Sequence, residues 1–244
     1  MAKVALITGA ARRIGAEIAR TLHKRGMNII IHCRRSTVEA DELAQELNRL
    51  QPDSARVLVA NLNEPDAVRH LAREALAQWG GIDVLVNNAS SFYPTPLAQA
   101  SDDDWDALMH SNLRAPFLLI QALEDTLRKH GGSVVNLIDV YAEKPLAQHS
   151  LYCMAKAGLA SLTRSMAREL GPDVRINGVS PGPILWPEGG QGNQADILDA
   201  TALGRCGQPE DIAGAVAWLA LDAPYVTGQI LAVDGGRSLS FHGG

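Results

Sequence analysis

The chain has 244 residues, of which 46% are hydrophobic and 20% charged, with a net charge of −5 and a pI near 5.8. That composition excludes disorder over most of the length, and the acidic balance excludes a general nucleic-acid binder. At about 150 residues per domain, the length allows one domain or two.

In chain order, short apolar and β-branched runs at residues 4–7, 29–31, 57–60, 84–86, 134–138, 175–179 and 229–233 alternate with longer segments. Most of these runs are continuously apolar, the pattern of strands buried on both faces. The longer segments, 14–25, 38–50, 67–79, 105–128, 152–170 and 210–221, repeat apolar residues at three- and four-residue spacing and read as helices. Strict alternation predicts an α/β fold: a single doubly wound (Rossmann) domain over residues 1–244, with about seven parallel strands and helices on both faces. Ser36-Thr37-Val38-Glu39 reads as a capping box, and Pro65 falls in a first turn. Ser101 followed by Asp102, Asp103 and Asp104 reads as a helix cap with charges that compensate the dipole. The stretch 186–193 holds three glycines and reads as a flexible loop, within a segment 183–208 taken as a substrate loop or lid.

The longest apolar run, 212–221, falls short of the about 20 residues of a membrane span, and the N-terminus lacks the apolar stretch of a signal peptide. Cys33, Cys153 and Cys206 show neither pairing nor ligand spacing, so reduced thiols in a cytoplasmic protein are expected, with no membrane partner. The seven histidines show no ligand spacing, and no metal is expected.

The first strand runs into Thr8-Gly9-Ala10-Ala11-Arg12-Arg13-Ile14-Gly15 and then a helix. A dinucleotide site needs a tight turn there, a thin backbone, and helix N–H groups aimed at the pyrophosphate; Gly9 and Gly15 suit that need. About 20 residues on, where an acid would hold a free ribose hydroxyl, the chain has His32-Cys33-Arg34-Arg35-Ser36. Two guanidiniums beside a hydroxyl suit a 2′-phosphate instead. Further along, Tyr152 and Lys156 share one helix face. A free tyrosine titrates near about 10, and a neighbouring ammonium is expected to lower that value.

The glycine turn, Asn87-Asn88-Ala89, Asn112, Tyr152-x-x-x-Lys156, Pro181-Gly182 and Asp234-Gly235-Gly236 occur in one order. Over its whole length the chain resembles the short-chain dehydrogenase/reductase family. Three departures from that family's usual pattern are similar to its pteridine reductase branch, which includes dihydromonapterin reductase-like enzymes. Arg13 stands where the turn usually has glycine. Asp139 stands where the catalytic serine usually precedes the tyrosine. The segment 87–97 reads NNASSFYPTPL. The segment 32–36 and Met154-Ala155-Lys156 are similar to that branch too.

The resemblance implies NADPH as cofactor, held by Gly9, Arg13, Ile14, Gly15, His32, Arg34, Arg35, Ser36, Asn61, Leu62, Asn88, Ala89, Ser90, Tyr152, Lys156, Pro181, Gly182 and Ile184. It implies a pterin substrate held by Arg13, Ser90, Phe92, Asp139, Tyr152 and Trp186, with Phe92 stacked over the ring. Catalysis falls to Tyr152, Lys156, Asp139 and Asn112, the last distorting or hydrating its helix. Asp139 serves either as an ionised anchor or as a protonated relay, because burial raises a carboxyl's pKa while Lys156 and Arg13 would lower it. The implied reaction is reduction of a dihydropterin to a tetrahydropterin, with oxidised pterin and dihydrofolate as further substrates to test. Rival readings are a carbonyl or 3-ketoacyl reductase of the same family and a non-catalytic NADPH-binding sensor. The family further implies a homotetramer joined through 105–128 and 152–170. The tail from Arg237 to Gly244 lacks the arginine that some relatives carry near the end, which puts an identical contact with a neighbouring subunit in doubt.

Overall fold

The computed structural model describes residues 2–184 and 194–240. Its strands are β1 (Val4–Ile7), β2 (Asn28–Cys33), β3 (Ala55–Val59), β4 (Val84–Asn87), β5 (Ser133–Leu137), β6 (Arg175–Pro181) and β7 (Ile230–Val233). They form one parallel sheet in the order β3-β2-β1-β4-β5-β6-β7. β1, β2, β4 and β5 are buried at every residue, as two-sided burial requires. The edge strands β3 and β7 are only partly covered.

The helices are α1 (Arg13–Lys24), α2 (Thr37–Leu50), α3 (Pro65–Leu76), α4 (Asp102–Met109), α5 (Ala115–His130), α6 (Ser150–Leu170), α7 (Gln194–Asp199) and α8 (Pro209–Ala217). Alternate strand residues feed two cores. Ala5, Ile7, Ile29 and Ile31 pack with α1, α2 and α8, while Val4, Leu6, Ile30 and Leu85 pack with α3, α5 and the end of α6. The strand order reverses between β1 and β4, and the carboxyl ends of these two strands open the crevice where such sheets bind ligands. No helix among the described residues is long and apolar enough to cross a membrane.

Four sequence expectations change. The segment 105–128 is not one helix: a π-helical turn, His110–Arg114, separates α4 from α5. The Asn112 side chain donates to the Leu108 carbonyl at 3.0 Å, taking the acceptor its backbone turn would use, and Pro116 has no N–H for the carbonyl of Asn112. A second π turn, Trp218–Asp222, ends the segment begun by α8, and the Arg175 guanidinium caps carbonyls of Leu219, Ala220 and Ala223. The Ser36 capping box does not form: Ser36 has φ −81° and ψ 56°, outside the extended conformation a capping side chain needs. Glu39 instead lies 3.6 Å from Arg12. The segment 183–208 contains the short helix α7, while Trp186 and the loop 186–193 lie outside the described residues. By contrast, Ser101 and Asp104 form a reciprocal capping box at the start of α4, and Pro65 opens α3.

Candidate active site

The turn after β1 admits little but hydrogen at its glycines. Gly9 has φ +63°, and a Cβ on Gly15 would sit 2.3 Å from the Gly9 carbonyl oxygen and 2.6 Å from the Asn88 amide nitrogen. Asn88, just past β4, donates from Nδ2 to the carbonyls of Thr8 (2.9 Å) and Gly9 (3.0 Å). The Thr8 hydroxyl oxygen in turn accepts from the backbone N–H groups of Asn88 and Ala89. The amide that sequence reading assigned to the cofactor is thus already occupied in holding the turn.

His32, on β2, completes this scaffold. Its Nδ1 accepts the Gly9 N–H at 3.1 Å, so the proton sits on Nε2, which donates to the Ala60 carbonyl at 3.2 Å. Burial pushes the imidazole pKa down to about 4, keeping the ring neutral. The ring nitrogens of His32 are therefore spent on backbone.

A cleft of about 550 Å³ opens over this turn. It is lined by Gly9, Arg13, Ile14, Gly15, His32, Arg34, Arg35, Ser36, Asn61, Leu62, Asn88, Ala89 and Ser90, together with Cys33, Asn63, Ser91 and Ser111. Arg13, Arg34 and Arg35 are exposed and pair with no carboxylate among the described residues. Arg13 holds φ +55°, the left-handed conformation that glycine adopts freely and that costs other residues about 1–2 kcal/mol. The cleft lining among the described residues does not include Tyr152, Lys156, Pro181, Gly182 or Ile184. Gly182 packs against Asp234, and Ile184 is buried in the core beside Gly207.

Beyond Ser90 and Ser91 lies a compact polar centre. Tyr152 donates its hydroxyl to Asp139 Oδ2 at 2.7 Å, while Asp139 Oδ1 accepts the Tyr141 N–H at 2.9 Å. Lys156 is 2% exposed and donates to the Leu137 carbonyl at 2.8 Å. Ser90 donates to Asn112 Oδ1 at 2.7 Å, and Asn112 Nδ2 reaches the Ser91 carbonyl at 3.0 Å. Beneath the centre, a buried chain runs from Asn87 to Asn136 to Thr163, tying β4 and β5 to α6.

The electrostatics reverse one expectation. Burial, and then the Asp139 carboxyl, push the Tyr152 phenol well above its ordinary value; the phenolate is disfavoured rather than favoured. The Lys156 ammonium lies 5.7 Å from the tyrosine ring centre, and burial pulls its own pKa down to about 8. Burial also raises the Asp139 pKa, against the opposing pull of the Tyr141 N–H, the Tyr152 hydroxyl and the Lys156 charge.

Phe92 is half exposed, and its ring meets Tyr152 edge to face, with centroids 4.8 Å apart. It also stacks on His149 at 4.7 Å and 14°. The preceding residue, Gln148, has φ +62°, and its carbonyl accepts the Thr95 N–H at 2.6 Å. All cysteines are free: Cys33 and Cys153 are buried and Cys206 is partly so.

The family described as enoyl-(acyl carrier protein) reductase matches residues 9–238. The chain belongs to the short-chain dehydrogenase/reductase family. This short-chain reductase is 37% identical to pteridine reductase 1 of Leishmania tarentolae, over 98% of its own length and 97% of that protein's. It is 36% identical to the 3-oxoacyl-[acyl-carrier-protein] reductase FabG of Staphylococcus aureus, over 97% and 98% of the two chains. Among solved structures it is similar to a blue fluorescent protein from a metagenomic library in complex with NADPH, at 39% identity and TM-score 0.91, covering 96% of this chain and 97% of that one.

Sequence reasoning missed two side chains of this short-chain reductase. Thr8 sits inside the turn motif, where Gly9, Arg13, Ile14 and Gly15 were weighed and the threonine hydroxyl was not. His149 stands three residues before Tyr152, a spacing that puts it near the same helix face, but apart from His32 the histidines were weighed only as metal ligands.

Proposed function

We propose that this oxidoreductase uses NADPH to reduce a dihydropterin to a tetrahydropterin. The cleft suits the cofactor: the Gly9–Gly15 turn leaves no room for a Cβ, helix α1 points its N-terminus at the cleft, and the exposed Arg34 and Arg35 sit beside Ser36 for a 2′-phosphate. In this reading Arg13 reaches both the pyrophosphate and the substrate. When bound, NADPH supplies the hydride. Tyr152 gives its hydroxyl proton to a ring nitrogen, the hydride having gone to the adjacent ring carbon. Asp139, its pKa raised by burial, holds the next proton and returns it along the 2.7 Å contact. Lys156 holds the ribose side of the site, and Asn112 fixes Ser90.

One observation carries the pterin reading: an aromatic plate, Phe92, and a carboxyl, Asp139, both converge on Tyr152. A flat heterocycle with ring nitrogens and an amino group uses both, since the ring stacks and the amino group donates to a carboxylate. A 3-oxoacyl substrate is a flexible chain, with no aromatic ring to lie on Phe92 and no amino group to donate to the Asp139 carboxyl. The test is NADPH oxidation with dihydrobiopterin, dihydromonapterin, dihydrofolate, simple ketones and a 3-oxoacyl thioester. Turnover of dihydropterins above the carbonyl substrates supports the reading; reduction of carbonyls with no dihydropterin turnover overturns it in favour of the FabG-like alternative.

The same reading takes the protein to be cytoplasmic, consistent with its free thiols, and a homotetramer. Exposed Trp105, Phe117 and Met154 on α4, α5 and α6 support assembly through those helices. Light scattering of the purified protein tests it.

A further inference from the structure

We propose that His149 is a positioning residue for the substrate, acting through Phe92: its imidazole backs the phenylalanine ring and sets the plane that a flat heterocycle meets. The proposal rests on the pterin reading above.

Phe92 lies in an irregular segment, and 48% of its surface is exposed. A ring so placed has no reason of its own to hold one orientation. Three contacts supply one. His149 lies nearly parallel to it, at 14° and 4.7 Å. Tyr152 meets it at 76° and 4.8 Å, so the plate is set relative to the proton donor. The Thr95 N–H bonds the Gln148 carbonyl at 2.6 Å, tying the backbone of the Phe92 segment to the residue beside His149.

The imidazole is itself fixed. Its Nδ1 pairs with the Ala147 carbonyl at 2.8 Å, the N–H donating. Gln148 adopts a left-handed conformation, φ +62°, that turns the chain just before the ring. Strained non-glycine residues of this kind persist where the surroundings over-determine them, and they cluster at ligand clamps. Capping does not account for the side chain: His149 occupies the N-cap position of α6 without making a side-chain cap bond. What its ring contacts is the substrate plate.

The test compares wild type with His149→Ala, His149→Gln and His149→Phe, using dihydrobiopterin at saturating NADPH. Loss of a stacking partner predicts a KM raised about three- to tenfold in His149→Ala and His149→Gln, with a smaller change in kcat. His149→Phe, which keeps a flat ring, restores the wild-type KM. NADPH binding, followed by its fluorescence, stays the same in all four proteins and reports that each is folded. An unchanged KM in His149→Ala overturns the proposal. So does a His149→Phe enzyme as poor as His149→Ala. A lowered KM in His149→Ala also overturns it, since the imidazole would then occupy the substrate's place. Each of these outcomes leaves the pterin reading intact; a wild-type enzyme inactive on every dihydropterin overturns that reading and this role together.

Discussion

Tyr152 gives its hydroxyl hydrogen to Asp139 across 2.7 Å, joining the first turn of α6 to the second residue past the end of β5. Two buried groups that each resist ionisation share one contact. Tyr152→Phe keeps the ring that touches Phe92 and removes the proton. It is expected to bind NADPH like wild type and to lose about 10²–10⁴-fold in kcat. Fluorescence titration and steady-state rates measure the two separately, and unchanged turnover would remove the assigned role.

The raised pKa of Asp139 has a stability signature. A carboxyl whose folded value lies above its unfolded value of about 3.9 contributes stability that is complete below that pH and is lost as pH rises through the folded value. Asp139→Asn abolishes this term. Its Tm minus that of wild type is expected to grow as pH rises from 4. A pH-independent difference would show that Asp139 titrates as an ordinary carboxyl.

His32 acts with the opposite sign. Its folded pKa of about 4 lies below the unfolded value of 6.5, so the unfolded chain takes up a proton that the folded one refuses. Stability is expected to fall by roughly 3 kcal/mol as pH drops through this window. Urea unfolding from pH 7 to pH 4 should show a shallower loss in His32→Asn than in wild type.

Arg34→Ala with Arg35→Ala tests the phosphate site. Charge-assisted bonds of this type are expected to cost NADPH about 10–100-fold in affinity, with little effect on NADH. Equal losses for both cofactors would place the phosphate elsewhere.

Gly15→Ala adds a methyl 2.3 Å from the Gly9 carbonyl oxygen, a backbone atom that cannot swing aside. The turn must shift, and NADPH binding is expected to fall below detection while the sheet still folds. Cofactor titration beside far-ultraviolet circular dichroism would show it.

What could be read from the sequence followed the range of the forces involved. β1, β2, β4 and β5 were legible because burial on both faces leaves largely apolar strands, in which polar residues such as His32 and Asn136 bond within the fold. The edge strands were legible too: β7 is wholly apolar, and in β3 only Arg56 interrupts the apolar run. The π turn at Asn112 interrupts a segment whose apolar spacing reads as one continuous helix. Its cause is a side chain competing for a backbone carbonyl, which leaves no mark on hydrophobic periodicity. The spacing of Asp139 from Tyr152 anticipated their contact, but the direction of the tyrosine's shift did not follow from its neighbours on the helix. Burial decided it, and burial is a property of the whole fold. The stacking of His149 on Phe92 joins segments more than fifty residues apart and has no local signature at all.

The turn after β1 has a consequence for how a nucleotide is captured. Its carbonyls are held by Asn88 and its first amide by His32, all through bonds between groups of the protein itself. The receptor is preorganised: little loop ordering is charged against association, and the entropy lost on docking is mostly the guest's own. The amide hydrogens of Gly9 and Ala10 should therefore exchange slowly with deuterium in the apoprotein, and their protection should rise only slightly once the nucleotide is seated.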